Sequence, residues 1–241
     1  MSAGRAFVIG DVHGCVDEVD RLLDAAQPGR DDTLCFLGDY VDRGPSPRRV
    51  IERLVRLSNE GPSCIFLKGN HEDMFLAFLG YPGRYGDAFC WNGGDATLAS
   101  YSLHGLEGTP AAARLPAEHR AFLLSLRSHA VLDRFFCVHA GVRPSRPLDA
   151  QSEEDLLWIR DEFIGAPHPF PYTVLFGHTP QRDVYLDLPY KVGLDTGLVY
   201  GNRLSCLEIT QRELWQIERG ARAVKRRSLA RAFAAAGLDP P

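Results

Sequence analysis

Aspartate, histidine and asparagine recur in this chain in short glycine-flanked groups, each directly after an apolar run. "FVIGDVHG" carries Asp11 and His13, "CFLGDYVDRG" carries Asp39, Asp42 and Arg43, and "FLKGNHE" carries Asn70, His71 and Glu72. Further on, "FCVHAG" carries His139 and "LFGHTP" carries His178. Asp11, His13, Asp39, Asn70, His139 and His178 offer oxygen and imidazole nitrogen without a thiolate, a donor mixture suited to borderline divalent ions such as Mn, Fe, Zn, Co or Ni. Six donors are too many for one catalytic ion that must keep positions open. They suit two ions that share one carboxylate. Asp39 is the expected bridge, because its strand stands between those that bring the other groups.

Positioning such groups together requires strands that end side by side. "AFVIG", "TLCFLG" and "SCIFLKG" read as strands, and between them "VDEVDRLLDAA" and "RRVIERLVRLSNE" read as helices, the first with Val16, Val19, Leu22 and Leu23 on one face. "HEDMFLAFL" continues the alternation, which implies a largely parallel sheet covered by helices. Side chains distant in sequence converge beyond the carboxyl ends of such strands. Gly10, Gly38, Gly69 and Gly177 let the backbone turn sharply there. From about Tyr81 to His129 the chain reads as a helical, cap-like insertion. After it, "VLDRFFCVHAG", "YTVLFGH", "KVGLDTG", "RLSCLEIT" and "ELWQIE" suggest a second sheet packed on the first. The expected architecture is α/β, a two-sheet β-sandwich flanked by helices, with residues 1–241 forming a single domain. The tail from Ala221, with Lys225, Arg226, Arg227 and Arg231, reads as a solvated terminal helix.

Composition narrows the classes. With 45% hydrophobic and 24% charged residues the chain has an ordinary globular balance, and a formal net charge of −4 gives no general field for nucleic acid. No window has the length of a membrane span, and the first strand begins at about Ala6, so no membrane association and a cytoplasmic location are expected. The six cysteines have no C-x-x-C spacing and read as buried free thiols, Cys15 packed under the first loop among them.

The order G-D-x-H-G, G-D-x-V-D-R-G, G-N-H-E, H-A-G and G-H-T, spanning Gly10 to Thr179, resembles the phosphoprotein phosphatase branch of the calcineurin-like metallophosphoesterases. "WNGGDATLASY", "LLWIRDEF" and "GLDTGLVYGNRLSCLEI" are similar to segments of the short bacterial serine/threonine protein phosphatases. The resemblance implies that Asp11, His13 and Asp39 hold one metal, while Asn70, His139 and His178 hold a second with Asp39 bridging. It further implies His71 as general acid oriented by Asp42, with Arg43 and Arg160 gripping phosphate. The implied activity is hydrolysis of phosphomonoesters in a phosphoprotein or phosphopeptide substrate, by in-line attack of a metal-bridging hydroxide. Manganese is the foremost of the candidate ions, and no regulatory subunit is implied.

Two alternatives accompany this reading. Bacterial diadenosine polyphosphate hydrolases resemble the chain around "GDVHG" and "GLDTG", but they typically carry alanine where Asp42 stands and aspartate where Glu72 stands. A non-catalytic phosphopeptide-binding scaffold would be expected to have lost a ligand or the acid, and none is missing. Outside the motifs, His104, His119, His129 and His168 read as surface or satisfied histidines, and Trp91, Trp158 and Trp215 as packing residues. Asp195 is a candidate to orient His139 or His178 from behind, and Arg143 is either a substrate contact or a solvated loop residue.

Overall fold

A computed structural model describes residues 4–238. Strand β1 (Ala6–Ile9) sends Phe7 and Ile9 to one side and Val8 to the other, following the two-residue repeat of an extended chain. Its parallel neighbour β2 (Thr33–Phe36) makes the same division, Leu34 and Phe36 against Cys35. β3 (Ser63–Phe66) pairs in parallel with β2. The connecting helices α1 (Val16–Ala26) and α2 (Pro47–Glu60) cover the Phe7 side. The α1 stripe is the one its apolar spacing foretells, with Val16, Val19, Leu22 and Leu23 buried, joined by Ala26. α2 starts on Pro47, whose missing N–H is harmless in a first turn. α3 (Asn70–Phe78) leaves the end of β3 directly.

The same core extends under α4 (Asp95–Tyr101), α5 (Gly108–Arg114) and α6 (Ala117–Leu124), which contribute Leu98, Tyr101, Ala111, Ala112, Phe122 and Leu123. A second sheet begins with the hairpin β4 (His129–Leu132) and β5 (Phe135–Val138), so "VLDRFFCV" is a turn between two strands rather than one run. Helices α7 (Glu153–Trp158) and α8 (Asp161–Ile164) follow, then β6 (Thr173–Phe176), β7 (Tyr185–Asp187) and β8 (Lys191–Gly193). This sheet runs β4-β5-β6-β8-β7. Phe135, Cys137, Leu175 and Val192 meet Val8 and Cys35 between the sheets, while Phe136, Val138, Val174 and Phe176 meet Leu156, Ile159 and Phe163 outside. The layers are therefore helix, sheet, sheet, helix. Each fully buried side chain of this kind contributes roughly 1.5–3 kcal/mol.

The chain returns to the first sheet through β9 (Arg203–Glu208), β10 (Glu213–Glu218) and β11 (Lys225–Ser228), giving the order β11-β10-β9-β1-β2-β3. The basic tail is thus corrected from a helix to an edge strand followed by the short α9 (Ala230–Ala235). Backbone pairing with β10 decides this; Lys225 and Arg226 find Glu218 and Glu213 across it, and Arg227 pairs with Asp183. A cationic border of this kind discourages further strand addition. All six cysteines are free, and Cys15, Cys35, Cys137 and Cys206 are buried. Among the described residues no helix is long and apolar enough to cross a membrane.

Candidate active site

Both sheets end at one place. β1 and β2 lead into the turns bearing Asp11 and His13, and Asp39, Asp42 and Arg43; β3 leads into the first residues of α3, Asn70 and His71; β5 and β6 of the other sheet lead into His139 and His178. Two groups of donors gather there, His13, Asp39 and His71 in one and Asp39, His139 and His178 in the other, each with its atoms within 4.8 Å of one another. Asp39 belongs to both. One of its oxygens lies 3.3 Å from His13 Nε2 and the other 3.4 Å from His139 Nε2, so the carboxylate presents an oxygen to each group. Asn70 Oδ1 is 2.9 Å from both His139 Nε2 and His178 Nδ1. Asp11 stands outside these two groups, its carboxylate accepting the His178 backbone N–H at 3.1 and 3.2 Å.

The imidazoles are aimed from behind. His13 Nδ1 hydrogen bonds to the Val41 carbonyl and His139 Nδ1 to that of Leu37, both at 2.8 Å, which leaves each Nε2 facing inward as an acceptor. His178 is turned the other way: its Nδ1 lies 2.9 Å from Asn70 Oδ1, on the side of the donors, and its Nε2 is buried without a hydrogen-bond partner. Three imidazole nitrogens presented inward, His13 Nε2, His139 Nε2 and His178 Nδ1, with a carboxylate between them, fit divalent metal ions.

The turns that carry these groups are tightly drawn. Gly38 has φ 107°, which side chains rarely adopt, and a Cβ on Gly177 would overlap the Asp11 carboxylate. His13, Asp39, Asp42, Arg43 and His178 have φ between 41° and 69°, and they are five of the ten non-glycine residues with positive φ among those described. Such backbone strain concentrates where surrounding contacts enforce it. Glu72 supplies much of that enforcement. Fully buried, it accepts the backbone N–H groups of Asp39, Tyr40, Val41 and Gly69 at 2.7–3.1 Å, tying the β2 turn to the start of α3. From the sequence, Glu72 stood out only as part of a motif.

Behind His71 lies a buried chain of hydrogen bonds. His71 Nδ1 is 2.6 Å from Asp42 Oδ2, and Asp42 Oδ1 accepts the Thr97 hydroxyl at 2.6 Å. Thr97 on α4 also accepts the Asp42 backbone N–H at 2.9 Å, a role that nothing in the spacing announces. Burial pushes the Asp42 carboxyl up to about 8 and draws His71 down to about 3. Burial thus disfavours charge on both partners of the pair. Burial, with the charges of Asp195 and Asp39, raises Asp11 well above the usual carboxylate range. Burial acts on Asp39 in the same sense, but His139, His71 and His13 hold it well below that range.

Arg43 is exposed at the rim, its Nη1 3.1 Å from His13 Nε2. Arg160 is exposed at the start of α8, beside a pocket of about 380 Å³ also lined by Trp158, whose ring lies 6.3 Å from that of His178. Asp195 does not orient a histidine. Its carboxylate accepts the Gly197 N–H at 2.9 Å. Arg143 lines the same pocket as Arg160, paired with Asp155 and Glu162. Cys15 Sγ bonds to the His13 carbonyl and receives Arg219, and burial pushes its thiol up to about 12, so it packs rather than reacts. His119 pairs with the Tyr101 hydroxyl and His168 with the Tyr190 carbonyl, while His104 and His129 are exposed. Trp158 and Trp215 pack as expected, but Trp91 does not: it is 93% exposed.

The pattern of the calcineurin-like phosphoesterases matches residues 4–205, and the chain belongs to that family, a family of metal-dependent hydrolases. It is 26% identical over 234 residues to bis(5'-nucleosyl)-tetraphosphatase PrpE (asymmetrical) of Bacillus thuringiensis (strain Al Hakam), covering 86% of this chain and 91% of that protein. The protein of the same name from Bacillus anthracis (strain CDC 684 / NRRL 3495) is 25% identical over 241 residues with the same coverage. Among solved structures, one named "putative diadenosine tetraphosphatase" superposes with a TM-score of 0.70 at 26% identity, covering 90% of this chain and 94% of its own. A cold-active protein tyrosine phosphatase shares the fold at a TM-score of 0.64 and 18% identity, covering 93% and 79%.

Proposed function

We propose that this protein hydrolyses dinucleoside tetraphosphates asymmetrically, to a nucleoside triphosphate and a nucleoside monophosphate. The observation that carries this choice over the phosphoprotein reading is the likeness to bis(5'-nucleosyl)-tetraphosphatases along 86% of the chain, whereas the tyrosine phosphatase neighbour is alike in fold alone. His13 and Asp39, joined by the Asp11 carboxylate near Asp39, would hold one divalent ion, and Asn70, His139 and His178 a second, with Asp39 shared. Two such ions, when bound, supply Lewis-acid polarisation of phosphate oxygens and make water more acidic. Arg43 and Arg160 flank the donors and grip the phosphate oxygens as negative charge develops. Water adds at phosphorus, an anhydride P–O bond breaks, and the displaced oxygen leaves with one nucleotide. His71 donates a proton to that oxygen and is resupplied at Nδ1 from Asp42.

A second reading rests on the Asp42–His71–Thr97 chain. A phosphate leaving group departs with little help, whereas an alkoxide needs an acid, and a hydrogen bond of 2.6 Å between His71 and Asp42 favours hydrolysis of alkyl phosphomonoesters as well. The deciding measurement is kcat/KM for diadenosine tetraphosphate and for a phosphoserine peptide, on enzyme stripped with a chelator and reloaded with Mn²⁺. The dinucleotide is expected to be the better substrate, with both activities absent before reloading. A peptide hydrolysed more efficiently than the dinucleotide would replace the first reading with the second.

A further inference from the structure

Two large aromatic side chains stand in solvent on turns that meet Arg43. Trp91 is 93% and Tyr200 is 62% exposed, although burying rings of this size is worth more than burying almost any other side chain. Both are tied to Arg43. The guanidinium carbon of Arg43 lies over the Tyr200 ring, 5.6 Å from its centroid, while Nη1 of the same group is 3.1 Å from His13 Nε2. Trp91 belongs to the single turn Cys90–Asn92, which leads into Gly93, and the Gly93 carbonyl accepts the Arg43 backbone N–H at 3.0 Å.

Tyr200 is also held stiffly. Its turn, Leu198–Tyr200, lies between Gly197 and Gly201, with φ 68° and 90°. The Gly197 carbonyl accepts the backbone N–H of Tyr200 at 3.0 Å and that of Asn202 at 3.2 Å, and Leu198 anchors the turn in the core. A rigid aromatic ring with one face against a cation and much of its area in water is prepared to stack on another flat ring.

We infer that Tyr200 is the stacking platform for one nucleobase of the substrate, with Trp91, on the turn that holds the Arg43 backbone, as a second contact. The inference rests on the dinucleoside tetraphosphate reading. A base on Tyr200 places its 5'-phosphate next to Arg43, and Arg43 adjoins His13, so the phosphate chain runs from the ring into the donor groups. Every base has a π-face, and stacking of this kind is tolerant of base identity. Tyr200 and Trp91 then determine specificity for nucleotides over phosphates that lack a base, without contacting the reacting atoms.

The test compares wild type, Tyr200→Ala, Tyr200→Phe and Trp91→Ala, all loaded with Mn²⁺. Binding of AMP and of ribose 5-phosphate is measured by calorimetry, and kcat/KM is measured for diadenosine tetraphosphate and p-nitrophenyl phosphate. Wild type is expected to bind AMP at least about fivefold more tightly than ribose 5-phosphate. Tyr200→Ala should erase that preference and lower kcat/KM on the dinucleotide, through KM, by more than on p-nitrophenyl phosphate. Tyr200→Phe should keep the preference, and Trp91→Ala should weaken it. If wild type hydrolyses the dinucleotide and Tyr200→Ala retains the AMP preference, the platform is refuted while the functional reading stands. A wild type active on p-nitrophenyl phosphate but inert toward the dinucleotide overturns both.

Discussion

Thr97 gives Asp42 its two contacts away from His71, donating its hydroxyl to Oδ1 and accepting the backbone N–H. All three residues are buried, so Asp42 has no water to turn to if the hydroxyl is removed. Thr97→Val keeps the shape and leaves an acceptor and a donor unpaired, which should lower stability by about 1–3 kcal/mol. Its kinetic signature separates positioning from mere packing. An alkyl phosphate, whose leaving oxygen needs a proton, should lose more kcat/KM than p-nitrophenyl phosphate, and Thr97→Ser should restore both. Equal losses on the two substrates would show that Thr97 serves only the fold. The partnership spans 55 positions between a strand-end turn and α4, which explains why the motif around Asp42 does not reveal it.

Among the elements, the start of α7 shows how a segment remote from the donors still governs the site. Ser152 caps the helix and Asp155 reaches back to the Ser152 N–H at 3.0 Å, while the same carboxylate accepts Arg143 Nε at 2.7 Å and also pairs with Arg146. This knot fixes the helix that ends at Trp158 and leads to Arg160, beside His178. Burial alone would raise Asp155, but the hydrogen bonds from Ser152 and Arg143 hold its carboxyl below the usual carboxylate range. A carboxyl lowered on folding stabilises the protein above its unfolded value of about 3.9, and that contribution is lost as pH falls through the lower folded value. Asp155→Asn should therefore destabilise by roughly 1.5–3 kcal/mol at pH 7, and the gap from wild type should narrow below about pH 4. Urea unfolding at both pH values checks this, and an unchanged gap would assign the effect to packing. Elements such as β1 and β2 were legible because burial on both faces leaves a short continuous apolar run. β7 is three partly exposed residues, and β11 is Lys-Arg-Arg-Ser, so their pairing is dictated by neighbours rather than by their own composition. The donors were legible for the opposite reason: polar groups after apolar runs are conspicuous. What each of them touches, as with Asp195 and Gly197, depends on turn geometry that residue types do not record.

At the scale of the whole molecule, the site is a meeting of two sheets. Asp39 arrives from one, His139 and His178 from the other, and the apolar layer between the sheets, from Val8 and Cys35 to Cys137 and Leu175, keeps them in register. That layer supplies stability which the turns at its end consume. Arg43 shows the exchange most clearly, because it is exposed and yet held at φ 63°. Glycine adopts that conformation without strain, so Arg43→Gly should leave the melting temperature equal or higher, by up to about 1 kcal/mol of stability, while hydrolysis of any phosphate substrate collapses. A clear fall in melting temperature on that substitution would show that the Arg43 contacts to His13 and Tyr200 outweigh the strain. Selection of this protein for heat resistance alone would accordingly drift toward glycine at its own working residue, and a durable variant obtained that way would be an inactive one.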